Sequence, residues 1–110
     1  MVPLRTAVCD AYRPLPYYAK AGLEVHARRP AFDVLVPPAW RSRIALGWGE
    51  DHQPTFASVI HVPTCAAVLG SGWISWAGGY FLRKPACVPV IVRSGSRSIE
   101  IRLAIGRACP

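Results

Sequence analysis

The sequence predicts an all-β domain: an immunoglobulin-like antiparallel β-sandwich of about seven or eight short strands, with a small β-barrel as the alternative. Three observations point there. Apolar residues alternate with other residues in short runs along most of the chain, the pattern of strands with one buried face. The 11 prolines and 9 glycines fall between those runs, where turns are needed. And the C-terminal run specifies a hairpin by two independent criteria. Val88, Val90 and Val92 alternate before Ser94-Gly95-Ser96-Arg97, and Ile99, Ile101, Leu103 and Ile105 alternate after it. A loop with Gly at its first central position suits a type II′ turn. Closing the chain around Gly95-Ser96 sets Val92 opposite Ile99, Val90 opposite Ile101 and Val88 opposite Leu103. Turn chemistry and hydrophobic pattern therefore demand the same register.

The chain of 110 residues has the length of one domain. Residues 1–22 contain Pro3, Pro14, Pro16 and the pair Tyr17-Tyr18 without periodicity, and read as an extended N-terminal arm. Residues 23–110 read as the sandwich. Leu23, Val25 and Ala27 alternate until Arg28-Arg29-Pro30 breaks the run. Phe32, Val34 and Val36 alternate until Pro37-Pro38. Trp40 to Trp48 reads as the next strand, with Ile44, Leu46 and Trp48 on one face and Arg43 and Ala45 on the other. A polar loop, residues 49–54, precedes a strand from Phe56 to Val62 that Pro63 closes. Trp73 to Trp76 is short, Gly78-Gly79 permits a kink, a bulge or a close backbone approach, and Tyr80 to Arg83 leads into the hairpin.

A hydrophobic share of 52% excludes a disordered chain, and no apolar run reaches the roughly 18 residues of a membrane span. Basic residues outnumber acidic ones, 13 to 6, and all but Lys20 and Lys84 are arginine. That balance suits nucleic acid or another anionic polymer. The arginines are scattered, however, and only Arg28-Arg29 and Arg41-x-Arg43 cluster, shorter than the basic runs that read as nucleic-acid patches.

The 4 cysteines, Cys9, Cys65, Cys87 and Cys109, contain no CxxC. An even number in a short β chain indicates a disulfide framework and an oxidising compartment. Cys87 falls opposite Ala104 at the open end of the hairpin, and Gly106 lets the chain bend back before Cys109. A Cys87–Cys109 bridge is the favoured pairing; Cys9–Cys65 would then tie the arm to the body. Cysteine spacing alone leaves all the pairings open. Residues 1–8 have no apolar signal-peptide core. The expectation is an extracytoplasmic chain lacking its natural leader, with Met1 not the natural start.

From Trp73 onward, the order W-x-x-W-A-G-G-Y-F, then P-A-C-V-P-V-x-V-R, then I-G-R-A-C resembles uncharacterised secreted or envelope proteins of actinobacteria. The resemblance covers the final third. It implies a small extracytoplasmic β domain and brings no catalytic residues with it; the missing leader departs from the pattern.

Constellations for chemistry are sparse. His61 and Cys65 lie four apart, with His26 and His52 as further ligand types, but a proline intervenes and no second cluster has ligand spacing. Glu50, Asp51 and His52 share a loop, yet Leu69-Gly70-Ser71-Gly72 is neither a nucleophile elbow nor a phosphate loop. The aromatics are more suggestive. Trp40, Trp73 and Trp76, with Arg41 and Arg43, have the composition of a binding patch for a protein or a sugar. Trp73 and Trp76 are an odd number apart, so a regular strand points them to opposite faces and at least one belongs to the core. The reading is a non-enzymatic, disulfide-stapled binding or structural module of the cell envelope, without cofactor or metal. Its partner would be a protein or an envelope polymer. The alternatives are a basic domain that binds nucleic acid or an anionic polymer, and a small enzyme or metal carrier using His61 and Cys65.

Overall fold

A computed structural model describes residues 3–26, 28–48, 56–64 and 72–110 of the chain. Its strands are β1 (Ala7–Val8), β2 (Tyr17–Lys20), β3 (Leu23–His26), β4 (Phe32–Leu35), β5 (Ile44–Leu46), β6 (Val59–Val62), β7 (Trp73–Trp76), β8 (Gly79–Leu82), β9 (Ala86–Ser94) and β10 (Arg97–Ile105). They form two four-stranded sheets, ordered β1-β2-β8-β5 and β10-β9-β4-β6, and a two-stranded ribbon of β3 and β7. Every strand pair is antiparallel. Among the described residues the helical content is two 3-10 turns, Asp10–Tyr12 and Pro38–Trp40.

The sheets face each other across one apolar core. Ala19 of β2, Ile44 and Leu46 of β5, and Tyr80 and Leu82 of β8 meet Val34 of β4, Val88 and Val90 of β9 and Ile105 of β10. The architecture is an all-β sandwich and not a closed barrel. A second, smaller cluster lies on the far face of the β2-β8-β5 sheet. Leu15, Ala45 and Phe81 are buried there beneath Tyr12 and Tyr18. This is why every residue of β8 is buried: its two faces serve two clusters.

The hairpin has the register that its alternation specifies, with Val92 opposite Ile99, Val90 opposite Ile101 and Val88 opposite Leu103. Gly95 takes a φ of 59°, as the first central position of a type II′ turn requires. The buried face extends over only half its length. Val88 and Val90 are in the core, but Ile99 and Ile101 are 60% and 40% exposed. Strand β10 is a sheet edge, and its outer half overhangs the opposing sheet.

Three stretches differ from the sequence-based expectation. In the stretch expected as an extended arm, β2 is an inner strand: Tyr17–Lys20 pairs with Leu82–Gly79, and Ala19 is fully buried. Its alternation is hidden because Tyr17 and Tyr18 both pack, one against each cluster. The strand expected from Trp40 begins only at Ile44. Pro37-Pro38 imposes a 3-10 turn whose Trp40 N–H donates to the Pro37 carbonyl at 2.9 Å. The strand expected from Phe56 is regular only from Val59. At Gly78-Gly79 the expected close approach is present. The Gly78 carbonyl accepts from Ala21 and the Gly79 carbonyl from Gly47, and a Cβ on either glycine would collide with a backbone carbonyl oxygen.

Cys87 and Cys109 form a disulfide with a Cα separation of 4.9 Å. It ties the C-terminal residues to the open end of the hairpin, as their positions suggested. The Cys9–Cys65 pairing involves Cys65, which lies outside the described residues. No helix of the described chain is long and apolar enough to cross a membrane.

Candidate functional site

The 3-10 turn that shortens β5 also builds a site. Proline at its start fixes the backbone, and the turn presents Trp40 with its ring packed partly against the core. The Arg43 N–H donates to the Trp40 carbonyl at 2.9 Å, folding the chain back by one turn. The Arg43 guanidinium then lies over the Trp40 ring, 3.7 Å from its centroid. That is close, face-on cation–π geometry, worth about 0.5–2 kcal/mol depending on exposure. Trp40 is thus held between the core and Arg43, and Arg43 is held in one orientation by Trp40.

Strand pairing brings the second half of the site. Ile44 is opposite Leu82, and the Arg83 N–H continues that ladder by donating to the Arg43 carbonyl at 2.9 Å. Arg43 and Arg83 are thereby neighbours, although 40 positions separate them in the sequence. Lys84 follows, and Ala86 opens β9. Together Trp40, Arg43, Arg83, Lys84 and Ala86 line a cleft of about 370 Å³. Among the described residues its lining carries three cationic side chains and no carboxylate. Such a concentration of like charge is unfavourable in the free protein and is relieved by an anion. The fixed guanidinium of Arg43 suits bidentate capture of a carboxylate, phosphate or sulfate.

The other residues singled out in the sequence are placed elsewhere. Arg41 is exposed beside the turn but does not line the cleft. Trp73 and Trp76 share β7 and do point opposite ways. Trp76 packs against the core and lines a separate apolar cleft of about 320 Å³ with Leu23, Trp48 and Ile60. Trp73 is 54% exposed, edge-on to His26 at 5.0 Å between ring centroids. The fourth tryptophan, Trp48, is buried, and its indole N–H donates to the Ala21 carbonyl at 2.6 Å. Of the five proposed patch residues, Trp40 and Arg43 come together. Arg83 and Lys84 were missed; the one local signal was their adjacency between β8 and Pro85.

His61 is on an exposed face of β6, where its Nδ1 lies 2.7 Å from Asp33 Oδ1 across the β4–β6 ladder. Among the described residues, no group of three His, Cys, Asp or Glu side chains is arranged to hold a metal. Cys65, Ser71 and the loop residues Glu50, Asp51 and His52 lie outside the described residues.

No protein-family model, curated protein or solved structure matches the chain.

Proposed function

We propose that the protein is a non-enzymatic binding module that acts outside the cytoplasm and captures an acidic polymer of the cell envelope in the Trp40–Arg43–Arg83–Lys84 cleft. The observation that carries this reading is the composition of the cleft: three cations, one already oriented by an indole, and no acidic side chain among the described residues that line it. Scattered in sequence, these charges converge through the β5–β8 ladder. The Cys87–Cys109 disulfide supports an oxidising compartment, and so favours a polymer of the cell envelope over a cytoplasmic nucleic acid. The resemblance of the C-terminal third to secreted actinobacterial proteins points the same way. Trp40 contributes rigidity to Arg43 and an apolar edge against which a sugar ring can rest.

The test is a titration with a short polygalacturonate, read by calorimetry or by tryptophan fluorescence. Binding is expected to weaken as salt rises, because the charges are partly solvated. Combined Arg43→Ala, Arg83→Ala and Lys84→Ala substitutions should weaken it by at least about tenfold, while Trp73→Ala leaves it unchanged. No binding, or binding that survives the triple substitution, overturns the reading. A single-stranded oligonucleotide run in parallel that binds more tightly through the same residues would replace the acidic sugar with nucleic acid.

A further inference from the structure

The overhanging half of β10 is an unusual sheet edge. The strand runs nine residues without proline, glycine or lysine. Natural edges are generally kept short or blunted by such residues, because an exposed edge is a template for another strand. The other outer strands of the two four-stranded sheets, β1, β5 and β6, have 2, 3 and 4 residues. Among the described residues, only the base of β10 is covered. The Leu4 N–H donates to the Ala104 carbonyl at 2.8 Å, and the Gly106 N–H donates to the Leu4 carbonyl at 2.7 Å. These bonds also identify which backbone groups face outward. By alternation along an antiparallel strand they belong to the even-numbered residues, so Ser98, Glu100 and Arg102 present open N–H and carbonyl groups along the edge. The odd-numbered side chains, Ile99 and Ile101, stand exposed on the sheet's inner face.

We infer that this edge pairs with β10 of a second copy of the chain, antiparallel about a two-fold axis at Ile101. Backbone geometry admits only registers in which even residues face even residues. Among these, charge selects one. Centring the pair on Glu100 sets Glu100 against Glu100, and centring it on Arg102 sets Arg102 against Arg102. Centring it on Ile101 places each Glu100 directly opposite Arg102 of the second copy, twice by symmetry. The two pairs bring about four backbone hydrogen bonds between the copies, two for each directly opposed pair. On the inner face the same register lays Ile101 against Ile101 and Ile99 against Leu103 of the second copy, in the closely spaced pairs where side chains touch. The sequence Ile99-Glu100-Ile101-Arg102-Leu103 is therefore complementary to itself in charge and in apolar pattern at once. A two-fold, isologous contact closes on itself and leaves no β10 edge for further growth. The two β10-β9-β4-β6 sheets would become one continuous sheet, with the Trp40 cleft outside the contact.

Sedimentation velocity over a concentration series tests this. The wild type should form a dimer. Arg102→Glu and Glu100→Arg each place like charges in both pairs, and each should weaken dimerisation by at least about tenfold. Mixing the two variants restores opposite charges throughout and should yield a heterodimer. The combined exchange Glu100→Arg with Arg102→Glu should recover the homodimer. Rescue on mixing also shows that each variant is folded. A wild type that remains monomeric at every concentration overturns the inference and leaves the edge for a different chain. So does a dimer indifferent to the single changes, or a mixture that fails to associate.

Discussion

At the scale of single residues, Tyr80 shows what burial does to a side chain with a polar end. Its ring meets Trp48 edge-on at 4.9 Å between centroids, and the residue is in the main core. Burial pushes its phenol up from 10.0 to about 12, because the phenolate would be poorly solvated there. The folded protein therefore holds the Tyr80 proton over a range in which the unfolded chain has released it. Its contribution is fully present below about pH 10 and is lost as pH rises towards 12. A shift of that size corresponds to about 2–3 kcal/mol over the window. Tyr80→Phe should remove that part of the alkaline decline. Urea unfolding at about pH 9 and about pH 11, on either side of the ordinary phenol value, should show a smaller loss of stability between the two in the variant than in the wild type. An equal loss in both would mean that the phenol is solvated. The residue scale is also where the candidate site was partly legible. Trp40 and Arg43 were singled out by composition, as an aromatic with arginine close by in the sequence. Arg83 and Lys84 join them only through the pairing of β5 with β8, which no local pattern encodes.

At the scale of elements, the hairpin separates what a sequence states from what it leaves open. Its register is a local property, fixed by Gly95 and by two alternating runs, and each expected pair is present. Whether the apolar face is covered depends on where the opposing sheet ends, which is a property of the whole sandwich. Ile101 and Ile105 lie on the same face of the same strand, 40% and 0% exposed. Ile105→Ala should cost about 2–5 kcal/mol, since a buried side chain is lost and its space is not refilled. Ile101→Ala should cost far less, about 1 kcal/mol or below, because much of the side chain is already in water. Chemical denaturation in dilute protein, where association does not contribute, measures both. Equal losses would show that β10 is covered along its whole length. Strand β2 illustrates the opposite case, an element present without a signal. Tyr17 and Tyr18 face different clusters, so the sequence around them does not alternate.

At the scale of the whole molecule, the sandwich is closed at one end by covalent chemistry. The main core is built from strands distant in sequence, and its base lies where β9 enters and β10 leaves. There the Cys87–Cys109 bridge spans 22 positions, and Leu4 bonds to the backbone of Ala104 and Gly106. Both features clamp the same corner, one by constraining the chain and the other by completing an edge. Closing a loop of 22 positions removes enough freedom from the unfolded chain to stabilise the fold by about 3 kcal/mol. For a small domain that is a large part of the total. Replacing both cysteines, Cys87→Ser with Cys109→Ser, should therefore lower the unfolding free energy by about that amount. The hairpin register should persist, because Gly95 and the alternating pairs set it independently of the bridge. The two effects can be read separately: denaturant unfolding gives the stability, and amide exchange along β9 and β10 gives the pairing. Protection should fall in proportion to stability across the paired hairpin amides, with the pattern of alternate protected positions retained. A variant that loses that pattern would make the disulfide, and not the turn, the determinant of how the two longest strands meet.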